Sequence, residues 1–133
     1  CIRDRMGNLL REIDLLPDLV LASSARRARE TAEAVVEASG YEGKVKTTRD
    51  LYGAGPEEVL QILAGLPDKV DRVLLIGHNP GLEELLELLT GDWERLPTAA
   101  LAQVALPLKH WADLDEETEG ELVRLWRPKE LAA

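Results

Sequence analysis

The pattern of apolar and polar positions predicts buried strands that alternate with amphipathic helices. Short apolar runs flanked by turn residues are typical of buried parallel strands. The stretch Leu19–Ser24 is such a run, because Pro17 precedes it and two serines end it. Val73–Ile76 is the strongest such run, and weaker strand patterns cover residues 44–48, 99–106 and 121–126. Helical spacing of apolar residues predicts helices over residues 2–13, 26–38, 56–63 and 82–89.

Alternating strands and helices predict an α/β domain with three layers, α/β/α, around a mostly parallel central sheet. The last two strands follow one another without an intervening helix, so one of them is expected to be antiparallel. At 133 residues the chain is long enough for one core, and we expect residues 1–133 to form a single domain.

Composition excludes several classes of function. The formal net charge of −9 argues against a nucleic-acid partner, which requires a basic surface to displace counterions. No apolar run approaches the roughly 20 residues that span a bilayer, so no membrane helix is predicted. The single cysteine, Cys1, excludes an internal disulfide and a cysteine-based zinc site and is compatible with the cytoplasm. Neither a metal nor a cofactor is expected, and no pattern indicates an oligomeric state.

The first candidate site lies where the first predicted strand ends. Serines, including Ser24, leave the strand, and three arginines open the following helix: Arg26, Arg27 and Arg29. Cations are unfavourable at a helix N-terminus, but an anion held by guanidinium and N–H groups would explain them. The alternative, which we favour for Arg26 and Arg29, is pairing with Glu30 or Glu33 on a solvated face. We predict a functional role for Arg27.

The second candidate site follows the strand at Val73–Ile76. The chain continues Gly77-His78-Asn79-Pro80-Gly81, which places a histidine between glycines just before a helix. Glycine permits a sharp turn and a close ligand, and imidazole can bind an anion or change charge near neutral pH. A lone histidine is more often structural, but this position favours function. The other histidine, His110, lies in a predicted surface connection and receives no role.

Together these segments resemble the histidine phosphatase superfamily, and most closely its small bacterial branch, the phosphohistidine phosphatases. The Arg-Ala-x-x-Thr-Ala and Gly-His-Asn-Pro-Gly segments are specific in this order and spacing, whereas either alone is weak. The resemblance spans nearly the whole chain and is carried by residues 17–20, 27–32, 50–52, 77–83 and 96–101. It implies a phosphoglycerate mutase-like fold.

The resemblance also implies a reaction and roles for residues. A histidine in an Arg-His-Gly motif attacks phosphorus, and water then releases phosphate. Arg27 and His78 match the second arginine and second histidine of the family, which clamp the phosphate oxygens, and Ser24 and Asn79 are counted with them as phosphate-binding residues. Asp50 is a candidate general acid, because Gly53 stands where small family members often have glutamate. The alternative for Asp50 is a turn carboxylate without a catalytic role.

One departure from the family concerns the nucleophile. Arg-His-Gly does not occur in the 133 residues. In the family it ends a first strand that lies centrally, between the strands matching Val73–Ile76 and 99–106. Without that strand, those two either meet directly or leave backbone groups unpaired. Because the chain also starts at Cys1 within a predicted helix, we expect these residues to be part of a longer protein.

Three interpretations therefore stay open. The chain is a fragment of an active phosphatase, expected on phosphohistidine in a protein but also conceivable on small phosphate esters. Alternatively, it is a degenerate relative that binds phosphate without catalysis. In the third, it is an α/β domain with a structural or interaction role that keeps the matched residues as scaffold.

Overall fold

The computed structural model describes residues 17–43, 45–51, 55–77, 81–96 and 101–126. Its strands are β1 (Leu19–Ser23), β2 (Val45–Thr48), β3 (Val73–Ile76), β4 (Leu101–Ala105) and β5 (Glu121–Trp126). Its helices are α1 (Arg26–Ser39), α2 (Pro56–Ala64) and α3 (Gly81–Thr90), with 3-10 turns at Arg49–Leu51 and Trp111–Asp113. The sequence predictions for these elements are confirmed with small differences at their ends. The helix predicted over residues 2–13 lies outside the described residues.

Three parallel strands in the order β2-β1-β3 form the main sheet. Successive side chains of the central strand β1 point to opposite faces, which gives the domain its layers. Val20 and Ala22 pack in one apolar cluster with Ala32 of α1, whereas Leu21 packs in another with residues of α2 and α3. The sheet therefore separates α1 from α2 and α3, as the predicted α/β/α architecture requires.

The last two strands form a separate sheet, in which β4 and β5 are antiparallel. The sequence predicts one mostly parallel sheet, whereas the described residues form two, because β3 and β4 are not neighbours in either. Among the described residues β3 and β4 do not pair directly, so the first of the two outcomes expected without the central strand does not occur. Side chains from both sheets, including Leu75 of β3 and Val104 of β4, nevertheless pack against the same apolar cluster.

Contacts from the β4–β5 connection join the second sheet to the rest of the domain. The Trp111 indole Nε1–H donates to the Val70 carbonyl at 2.6 Å, and His110 Nδ1 lies 2.9 Å from Asp68 Oδ2. Further along, the Gly120 N–H donates to the Leu89 carbonyl at the end of α3, also at 2.6 Å. These bonds are important because no described ladder of backbone hydrogen bonds connects the two sheets.

Asp18 fixes the start of β1 against the start of β3. Its carboxylate Oδ2 accepts the N–H groups of Asp71 at 2.8 Å and Arg72 at 2.9 Å. The Asp18 N–H in turn donates to the Arg72 carbonyl at 2.7 Å. Together these bonds place the amino ends of the two parallel strands side by side, and thereby their carboxyl ends as well.

We predict that Trp111→Phe destabilises the domain by about 1–2 kcal/mol, since it removes the indole donor and leaves the carbonyl of buried Val70 unsatisfied. Urea unfolding followed by circular dichroism measures the change. Trp93→Phe is the matched control. Because Trp93 is 58% exposed, this substitution should shift the urea midpoint of unfolding little. Equal stability of the two variants would contradict the role given to Trp111.

We further predict a pH-dependent contribution from His110. The hydrogen bond with Asp68 raises the pKa of His110 above its ordinary 6.5. The folded state therefore binds the proton more tightly, and the stabilisation is complete below pH 6.5 and is lost as pH rises through the raised pKa. Thermal unfolding between pH 5 and 9 tests this. His110→Gln should flatten the dependence, and an unchanged profile in that variant would refute the assignment.

Candidate functional site

The register of the main sheet brings three strand ends to one edge. Ala22 of β1 lies beside Ile76 of β3, and Ser23 lies beside Thr48 of β2. Ser24, Arg49 and Gly77, the residues that follow the strands, therefore leave the sheet at nearly the same level. In parallel α/β sheets this carboxyl edge is where ligands bind.

Hydrogen bonds order the turns at this edge. The Ser24 N–H donates to the Thr48 carbonyl at 3.0 Å, which extends the β1–β2 contact one step beyond the ladder. The fully buried Ser23 accepts the Ala25 N–H on its Oγ at 3.2 Å, and Thr48 Oγ1 accepts the Asp50 N–H at 3.1 Å. Ser23 and Thr48 thus shape both turns, although the sequence analysis gave them no role. A serine or threonine at the last position of a strand is the signal that could have indicated such turns.

The arginines at the start of α1 differ in their surroundings. Arg26 Nε lies 2.8 Å from Glu30 Oε1 on an exposed helix face, so the solvated pairing favoured for Arg26 is confirmed. For Arg29 the expected pairing with Glu30 or Glu33 is not found within the described part of the chain. Arg27 is exposed and likewise forms no ion pair with described residues. No described carboxylate therefore pairs with its guanidinium.

The start of α1 is suited to an anion. Ala25 precedes the helix in an extended conformation and provides no side-chain cap, and its first turn contains no acidic residue. The N–H groups of that turn therefore lack the described side-chain acceptor that usually satisfies them. The Thr31 hydroxyl donates to the Arg27 carbonyl at 2.8 Å, which explains the threonine of the Arg-Ala-x-x-Thr-Ala segment structurally.

The second segment is described only at its borders. Gly77 follows β3 and α3 begins at Gly81, while His78 and Asn79 lie outside the described residues. Gly77 does not have a positive φ, so a left-handed turn does not require glycine there. A β-carbon at Gly77 would meet Leu82 Cδ2 at 3.4 Å, an ordinary contact. The close approach of a ligand to this glycine stays a prediction.

Asp50 lies on the other flank of the edge. It is exposed, and it belongs to the 3-10 turn that follows β2. The order β2-β1-β3 puts the ends of β2 and β3 two strand spacings apart, about 9–10 Å. A ligand above the end of β1 would therefore have Asp50 on one side and the segment after Gly77 on the other.

A contact that sequence reasoning missed lies beside this edge. Glu83 Oε2, in the first turn of α3, accepts the Leu96 N–H at 2.8 Å. The two residues are 13 positions apart, and no sequence pattern pairs them. An acidic residue in the first turn of a helix was the available signal, and it indicated only a favourable interaction with the helix dipole.

The described residues provide neither a cluster of metal ligands nor a membrane-spanning helix. None of them forms a group of three or more His, Cys, Asp or Glu side chains that could hold a metal ion. No described helix combines the length and the apolar character required to cross a membrane.

Sequence comparisons find relatives in bacteria and a plant. The chain is 31% identical over 120 residues to an uncharacterized protein of Mycobacterium leprae, covering 83% of this chain and 71% of the relative. It is 30% identical over 109 residues to an uncharacterized protein of Mycobacterium tuberculosis, covering 74% and 66%. An uncharacterized chloroplastic protein of Arabidopsis thaliana is 31% identical over 111 residues, which are 74% of this chain and half of that protein. The chain thus spans about two thirds of the M. tuberculosis relative. No protein-family model matches it.

The chain is also similar to solved structures that share its fold. The protein histidine phosphatase SixA complexed with tungstate superposes with a TM-score of 0.82 at 26% identity, covering 97% of this chain and 80% of that one. A putative phosphohistidine phosphatase SixA from Agrobacterium tumefaciens gives 0.79 at 25% identity, with 96% and 78% covered. Its counterpart from Nakamurella multipartitia gives 0.78 at 26% identity, with 96% and 81% covered.

Proposed function

The chain belongs to the histidine phosphatase superfamily, and we propose that it forms the phosphate-binding part of a phosphatase acting on phosphohistidine in proteins. The observation that carries this proposal is the parallel register, which brings the carboxyl end of β1, where α1 follows, beside the carboxyl end of β3, where Gly77 follows. The tungstate complex of a related structure supports it, because tungstate is a tetrahedral oxyanion like phosphate.

In this proposal Arg27 and His78 clamp the oxygens of the transferred phosphoryl group, and Ser24 and Asn79 donate further hydrogen bonds to them. Negative charge spreads over the equatorial oxygens in phosphoryl transfer, so fixed donors around them lower the barrier. No described counter-ion pairs with Arg27, and the uncapped first turn of α1 adds N–H groups nearby. The site is a local positive spot in a protein of net charge −9.

The reaction has two steps. A nucleophilic imidazole nitrogen attacks phosphorus, the P–N bond to the substrate histidine breaks, and the substrate imidazole departs with a proton. Water then attacks the phosphorylated imidazole and releases inorganic phosphate. The nucleophile belongs to an Arg-His-Gly segment, which these 133 residues do not contain, so the proposal concerns a protein that carries both parts.

Asp50 is proposed as the acid that protonates the departing group. Asp50 follows β2, which lies on the side of β1 opposite β3, and this position at the edge supports the proposal. The protonated imidazole is a good leaving group, so an exposed carboxyl is sufficient as the acid there. No metal ion and no cofactor take part, and the proposed location is the bacterial cytoplasm.

A second candidate function, phosphate binding without catalysis, is favoured by one observation only. The sequence lacks Arg-His-Gly while it retains Arg27 and His78. In that case the edge would bind phosphate or tungstate but would transfer nothing. Hydrolysis and binding must therefore be measured separately.

We predict that Arg27→Ala and His78→Ala each lower turnover of a phosphohistidine peptide by about 10²–10³-fold, as loss of a transition-state donor does. The protein to assay is the complete product of the gene that encodes this chain. Arg26→Ala is the matched control, because Arg26 lies one residue away on the same helix and pairs with Glu30 on its exposed face. Circular dichroism confirms that each variant folds.

The outcomes separate the two functions. Hydrolysis that depends on Arg27 and His78 but not on Arg26 supports the phosphatase. Tungstate binding that depends on Arg27, measured by calorimetry and without any hydrolysis, supports the non-catalytic relative. Normal turnover in both site variants would remove the basis of the proposal.

A further inference from the structure

The segment after α3 turns back along that helix toward the proposed site. Helix α3 ends at Thr90, and Gly91, with φ 81°, reverses the chain in a left-handed conformation that favours glycine. Residues 92–96, here named the return segment, then run back until the Leu96 N–H meets Glu83 Oε2 at 2.8 Å. Glu83 and Thr90 are separated by about 10 Å of helix, which five extended residues easily span.

The Glu83 bond holds the far end of the return segment at the site. Glu83 belongs to the first turn of α3, which begins at Gly81, four positions after Gly77 at the end of β3, whereas Gly91 lies at the opposite end of the helix. A carboxylate that accepts a backbone N–H makes a charge-assisted bond, the stronger kind of hydrogen bond. Glu83 is half-buried, whereas its neighbour Glu84 is exposed and has no bond of this kind among the described residues.

The return segment presents a surface that a polypeptide can contact. Trp93 on this segment is 58% exposed, and large exposed aromatic side chains are frequent anchors in protein recognition. From Leu96, beside the first turn of α3, the segment extends back along that helix to Gly91 at its other end. A bare oxyanion offers no apolar surface for such a side chain to contact, whereas the polypeptide around a phosphorylated histidine does.

We propose that Glu83 is a positioning residue that fixes the return segment beside the phosphate clamp, where the segment binds the polypeptide around the phosphorylated histidine. This inference rests on the proposed function and extends it to recognition of the protein part of the substrate. Glu83 acts through the Leu96 amide, so a neutral side chain that still accepts this hydrogen bond should keep part of its effect.

The test is a kinetic comparison of variants of the complete gene product. The probes are a histidine peptide phosphorylated with phosphoramidate and, as an inhibitor that occupies only the clamp, inorganic tungstate. Glu83→Ala should raise KM for the peptide about tenfold, the equivalent of one charge-assisted hydrogen bond, with kcat within about twofold. The tungstate inhibition constant should not change. Glu83→Gln should raise the peptide KM less than Glu83→Ala does, because its amide oxygen can still accept the Leu96 N–H in a weaker, neutral hydrogen bond. Glu84→Ala is the matched control.

Three results would overturn the inference and leave the proposed function intact. These are an unchanged peptide KM in Glu83→Ala, an equal rise in peptide KM and tungstate inhibition constant, and a Glu83→Gln variant that behaves like Glu83→Ala. Failure of the unaltered protein to hydrolyse the peptide would instead overturn the proposed function, and this inference with it.

Discussion

The parallel register between β1 and its two neighbours is the constraint on which the site depends. At the amino end, the Asp18 carboxylate binds the N–H groups that precede β3 and aligns the two strands. At the carboxyl end, the same alignment brings Ser24 and Gly77 to within one residue of the same level. A slip of one residue would displace these ends by about 3.3 Å and turn every side chain of the strand to the other face.

The same alternation divides the core. Val20 and Ala22 of β1 bury against the layer of α1, and Leu21 buries against the layer of α2 and α3. Because β3 and β4 are not neighbours in a sheet, the second sheet depends on packing and on the bonds of Trp111 and Gly120 to remain part of this core. The fold thus has a parallel sheet, which carries the strand ends, and a second sheet, which is attached to it through side chains and turns.

The local features were predictable from sequence because short stretches of chain determine them. The apolar run Val73–Ile76 indicated a strand, and the pairing of Arg26 with Glu30 follows from helical spacing. Long-range hydrogen bonds were not predictable. The contacts of Glu83 with Leu96 and of Trp111 with Val70 join residues 13 and 41 positions apart, and only the folded chain brings them together. The division into two sheets also depends on which strand lies between others, which the strand patterns alone do not determine.

The central claim is that the carboxyl ends of β1 and β3 form one oxyanion site, and an NMR titration tests it most directly. Tungstate is added to the ¹⁵N-labelled complete gene product while its amide resonances are followed. The account predicts that the largest shifts occur at Ser24, Arg27 and Gly77, and that they saturate together with one affinity. Shifts confined to other parts of the protein, or no saturable shifts at all, would contradict it.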